Sequence, residues 1–140
     1  MTNGALLAAV LGISTIVSGC ITDTIEGAQF YVTNHSSAER IIIFSSRQEL
    51  SGVASSIAVR LSGDSTQERA SPLLSMSPEP DATARIDVYD SMCNLVTSLE
   101  VTGLGRYRLE VSVSGASVER YSDAPADVAT LPVSTETCGG

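Results

Sequence analysis

From residue 84 to residue 122 the chain alternates apolar and polar side chains with a period of two, and that pattern leaves few ways to fold. Ile86 and Val88 share one side of residues 85–89 (RIDVY). Leu95, Thr97, Leu99 and Val101 repeat the period; Tyr107, Leu109, Val111 and Val113 then face in while Arg106, Arg108, Glu110 and Ser112 face out. Successive side chains of an extended strand point to opposite faces, so the stretch predicts antiparallel strands with one face on a core and one in water. Thr102-Gly103-Leu104-Gly105 and Ser114-Gly115-Ala116 supply turns, and residues 118–121 return as a further strand.

The upstream sequence extends the same grammar. Residues 29–33 (QFYVT) are aromatic and β-branched and predict a strand. Asn34-His35-Ser36-Ser37 is turn chemistry, leading into a second strand over residues 39–46 (ERIIIFSS) and so to a first hairpin. Four consecutive apolar residues, Ile41 to Phe44, predict burial on both faces. Residues 48–55 are read as a loop or helical turn, and Ile57, Val59 and Leu61 as one face of a strand. Residues 62–71 (SGDSTQERAS) are read as an exposed polar connection and residues 72–76 as a short strand. Pro78 and Pro80 keep residues 77–83 out of a sheet interior, as an edge loop. Seven to eight short strands and no helix over residues 29–122 predict an all-β fold, a small antiparallel β-sandwich.

Ahead of this domain, residues 5–17 (ALLAAVLGISTIV) form an apolar run of signal-peptide length, shorter than the ~20 residues that span a bilayer as a helix. It ends in Val17-Ser18-Gly19-Cys20, which resembles the lipobox of bacterial lipoproteins. The resemblance implies a signal peptide over 1–19, lipidation of Cys20 as the new N-terminus, and a polar tether over 20–28. The leading Met1-Thr2-Asn3 carries no Lys or Arg, a departure from the charged start of such signals. Gly19 also suits ordinary signal peptidase, which would release an unlipidated, secreted protein. A buried N-terminal helix with Cys20 as a core thiol is the third reading. Parity favours the first: of three cysteines, Cys20, Cys93 and Cys138, lipidation of Cys20 leaves an even pair. An exported compartment lets Cys93 and Cys138 oxidise, pinning residues 123–140 across the strand ends. Closing that loop of about 45 residues is worth roughly 3–4 kcal/mol in the chain-entropy model.

Residues 86–113 also resemble, on Val88, Asp90, Asn94, Val96, Gly105, Tyr107, Leu109 and Val111, the prealbumin-like or carboxypeptidase-regulatory type of sandwich module. The spacing departs from that pattern in places, and an immunoglobulin-like arrangement would write much the same string. The resemblance implies a fold class and no activity.

Charge narrows the partners. Eight basic residues, all Arg, face sixteen acids, for a formal charge of −8. An acidic surface with no basic stripe argues against nucleic acid, whose binding rests on neutralising phosphates. It also disfavours electrostatic attachment to anionic lipid, so the membrane contact falls to the lipid anchor. A protein partner in the envelope or a larger extracellular assembly stays open.

Reactive constellations are sparse. His35 is the single histidine, and a turn residue between Asn34 and Ser36 is poorly placed for a nucleophile–base–acid arrangement. One histidine does not make the usual zinc or copper site. Asp87, Asp90 and Asn94 gather oxygen ligands of the kind Ca²⁺ takes, although Asp90 and Asn94 are ordinary turn residues. No nucleophile elbow, phosphate loop or dinucleotide fingerprint occurs, and no cofactor is implied. The expectation is a non-catalytic binding or structural module held at the cell envelope, with a secreted hydrolase or Ca²⁺-binding module as the alternative.

Overall fold

The computed structural model describes residues 27–48, 53–135 and 138. The signal peptide, Cys20 and most of the tether lie outside them; Gly27 and Ala28, read as the end of the tether, are already the start of the first strand. Nine strands follow: β1 (Gly27–Asn34), β2 (Arg40–Gln48), β3 (Val53–Leu61), β4 (Ser65–Ala70), β5 (Leu74–Ser75), β6 (Thr83–Asp90), β7 (Leu95–Thr102), β8 (Gly105–Val111) and β9 (Ala116–Arg120). Among the described residues there is no helix. One sheet has the order β4-β1-β8-β9 with β5 also on β1; the other is β3-β2-β6-β7. The fold is an all-β sandwich.

The alternation predicted from the sequence builds the core between the two sheets. Ala28, Phe30 and Val32 of β1 meet Ile42 and Phe44 of β2, Ile86 and Val88 of β6, and Tyr107, Leu109 and Val111 of β8. The Phe30 ring stacks on Phe44 at 4.3 Å between centroids and on Tyr107 at 5.5 Å. Each such fully buried side chain contributes roughly 1.5–3 kcal/mol of transfer free energy. Ile41 and Ile42 are both fully buried, as the unbroken apolar run predicts.

Several expectations are corrected. The first hairpin does not form: β1 and β2 belong to different sheets, and residues 35–39 arch between them. Asn34, fully buried, holds this arch by donating to the carbonyls of Ala38 and Ser62 while accepting from Ser36 N and Oγ. The polar stretch 62–71 is no free connection, because β4 pairs along β1. β2 and β3 run into the segment read as a loop, through Gln48 and from Val53. Leu95 faces out, 53% exposed, because a bulge sets Tyr89 opposite Leu95 after Val88 opposite Thr97, which turns Val96 toward the core instead. Val113 lies beyond the end of β8 and is exposed. One pairing is parallel, β1 with β8, from Ala28 opposite Gly105 to Asn34 opposite Val111.

The C-terminal segment wraps this sandwich. Tyr121 meets Tyr31 edge-on at 5.3 Å on the outer side of the first sheet. Thr130 bridges Ala70 of β4, with Ala70 N donating to Ala129 O and Leu131 N to Ala70 O. Ser134 N then donates to Ala58 O on β3. The segment therefore joins the two sheets along their β4 and β3 edges before reaching Cys138.

Candidate functional site

Cys93 lies in the connection from β6 to β7, as the last of the three residues enclosed by the Asp90–Asn94 backbone pair. Asp90 N donates to Asn94 O and Cys93 N to Asp90 O, and Cys93 takes a left-handed φ of 64°. That is the residue position which closes a type I turn with a bulge and ordinarily favours glycine. Its sulfur stands at bonding distance from Cys138, with Cα atoms 5.2 Å apart.

The oxygen ligands expected near this loop are engaged by their own neighbourhood. Asp90 Oδ1 accepts from Met92 N and Asn94 N, and Oδ2 from Asn94 Nδ2. The bonds from Asn94, then those from Met92 and the nearby Arg40 charge, hold the Asp90 carboxyl below its usual 3.8 against a smaller desolvation effect. Asp87 lies on the outer face of β6, accepting from Arg85 Nε at 2.9 Å and Ser98 Oγ at 2.6 Å. Among the described residues no three His, Cys, Asp or Glu side chains gather as a metal site.

His35 stands on the outer side of the first sheet, and a single nitrogen, Nε2, lies 3.3 Å from both Thr33 Oγ1 and Glu110 Oε1. A hydroxyl-activating histidine takes the nucleophile's proton on one nitrogen and is oriented by an acid on the other. Here hydroxyl and acid compete for the same nitrogen, so the trio does not have that arrangement.

A concavity that sequence reasoning missed lies on the same outer face, nearer the other end of β1. The parallel register sets Gln29 opposite Arg106 and Tyr31 opposite Arg108, all outward between core-facing Phe30 and Tyr107. The segment carrying Pro125, Val128 and Thr130 passes over them, leaving a groove of about 450 Å³ floored by Gln29, Tyr31 and Arg106. The floor is built rather than loose. Gln29 Nε2 donates to Ser71 O at 3.1 Å, and Gln29 Oε1 accepts from the Tyr31 hydroxyl at 3.3 Å. Tyr121, behind Tyr31, donates to Glu68 and carries the Arg108 guanidinium 4.4 Å above its ring. The volume falls within the ~300–1,000 Å³ usual for small-ligand sites. No sequence motif marks the groove; its signal is two outward positions on strands 77 residues apart, made neighbours by a parallel pairing.

Compared with protein-family models, with curated proteins and with solved structures, the chain matches none.

Proposed function

We propose that this chain is a cell-envelope lipoprotein: a diacylglycerol-modified Cys20 holds a non-catalytic β-sandwich at the outer side of a membrane, where it binds a ligand or partner. The observation that carries the reading is the pairing of Cys93 with Cys138. Two of three cysteines are taken, Cys20 is left over at the end of a lipobox-like stretch, and a structural disulfide belongs to an oxidising compartment. The acidic surface supports tethering by lipid rather than by charge. The shared Nε2 contact of His35 and the engaged carboxylates of Asp87 and Asp90 support binding rather than catalysis.

Intact mass and membrane fractionation after expression in a bacterial host test this reading. The expected outcome is loss of residues 1–19, a diacylglyceryl increment on Cys20, and a two-hydrogen mass deficit that reductant restores. An unprocessed chain with three free thiols in the cytosolic fraction would overturn it.

A further inference from the structure

The groove on the outer face of the first sheet contains a cation, Arg106, with no counter-charge among the described residues, and that observation points to what it binds. The chain has twice as many acidic as basic residues, and three of its described arginines pair with carboxylates. Arg60 pairs with Glu39, Arg85 with Asp87 and Arg108 with Glu110 and Glu119; Arg40 and Arg120 donate to backbone carbonyls, and Arg69 of the edge strand β4, outside the groove lining, pairs with no described carboxylate. Arg106, on the groove floor, pairs with no described carboxylate, although the wall above it includes Asp123 and Asp127 in its run. Beside it in register, Gln29 uses Nε2 toward Ser71 and Oε1 toward Tyr31, which leaves one amide N–H uncommitted. The Tyr31 hydroxyl, its proton given to Gln29, has lone pairs left.

We propose that this groove binds the terminal carboxylate of a short peptide whose last residues are small and apolar. A guanidinium presents a planar fork that matches one carboxylate with two parallel hydrogen bonds. A single arginine neutralises one negative charge, which suits a carboxylate better than a doubly charged phosphate. The free Gln29 N–H can donate one further hydrogen bond to the carboxylate, and the Tyr31 oxygen can accept a peptide N–H. The lining is mostly polar, and the small side chains of Ala70, Ala124, Pro125 and Val128 supply its minor apolar part, which leaves room for alanine-sized side chains. The groove is open on the outside, so the peptide can remain attached to a larger molecule. The assignment rests on the binding-module reading above, but not on the anchor.

The test is a ¹⁵N-resolved NMR titration of the full-length chain in non-ionic detergent, with N-acetyl-alanyl-alanine as the probe. Its C-terminal amide and inorganic phosphate serve as comparison ligands. The expected result is saturable shifts of the Arg106 Nε–H, the Gln29 side-chain amide and backbone signals of residues 124–130 with the carboxylate only. Arg106→Gln, an exposed outward position, should weaken that binding roughly tenfold or more, since a charge-assisted pair is lost. Equal response to the amide, stronger response to phosphate, or no shift at tens of millimolar would each overturn the assignment. Should Arg106→Gln fail to fold, the carboxylate-against-amide comparison on the unmutated chain decides alone. None of these outcomes bears on processing at Cys20, so failure here and failure of the envelope reading are separable.

Discussion

Tyr107 does two jobs with one side chain. Its ring stacks against Phe30 in the core, while its hydroxyl emerges at the β7–β8 turn and donates to Gly103 O at 2.6 Å, with Thr102 O 3.0 Å away. The turn needs that support: Gly103 and Gly105 hold φ values of 93° and 141°, and the Arg120 guanidinium lies so close that a Cβ at either would collide with it. Arg120 completes the clamp by donating to Leu104 O and Thr102 O and lying 4.9 Å above the Tyr107 ring. Burial raises the Tyr107 phenol above its usual 10.0, outweighing the Arg120 charge that pulls it down. The native state therefore keeps a proton that the unfolded chain gives up first. Stability from this group is complete below pH 10.0 and declines as pH rises through the higher native value. Tyr107→Phe should lose about 1 kcal/mol at neutral pH through the missing hydrogen bond. The same variant should show a shallower fall in stability above about pH 10 than the parent. Urea midpoints at neutral and alkaline pH check both. An unchanged neutral midpoint would remove the hydroxyl from the turn's support.

β4 shows where pattern reading stops. Its sequence, STQERA, has no apolar alternation because it is an edge strand whose burial comes late, at Ala70. What holds it is backbone pairing with β1, continued past its end by Ser71: Ser71 N donates to Phe30 O, and Ser71 Oγ accepts from Phe30 N at 3.0 Å. Ser71 is fully buried, so Ser71→Ala would leave the Phe30 N–H without its partner and should cost about 1–3 kcal/mol. Hydrogen exchange at the Phe30 amide should accelerate with it; an amide still protected would show that the strand end is held otherwise. The core faces of β3, β6 and β8 were legible because their periodicity records burial directly. Leu95 was misread because a bulge changes phase without changing composition. The arch after Asn34 was misread because turn residues serve hairpins and sheet-to-sheet connections alike. The groove was invisible for a further reason. Gln29 and Arg106 are each an unremarkable outward polar residue, and only the parallel register of β1 with β8 sets them side by side.

The belt from Tyr121 to Cys138 ties these parts into one body. It crosses the outer face of the first sheet, joins the β4 and β3 edges, and ends at the β6–β7 loop of the second sheet. The belt occupies each edge at one point, Ala70 on β4 and Ala58 on β3, and blocks strand addition there. Such a segment has little periodicity and few buried large side chains of its own, so its ordering leans on the covalent link at its end. The link has a local opponent. Cys93 occupies a left-handed conformation that costs a non-glycine residue about 1–2 kcal/mol. Replacing both cysteines by serine should lower stability by roughly 3–4 kcal/mol in the chain-entropy account and loosen the groove wall at residues 124–130. Replacing Cys138 by serine and Cys93 by glycine opens the same loop but relieves the turn. Glycine also frees the unfolded chain, so a net advantage of about 0.5–1 kcal/mol over the double-serine chain is expected. Urea unfolding of the two variants side by side measures that difference with the loop entropy cancelled. Equal stabilities would mean that the loop relaxes once the bond is gone. The left-handed φ at Cys93 would then be imposed by the belt rather than by the hairpin.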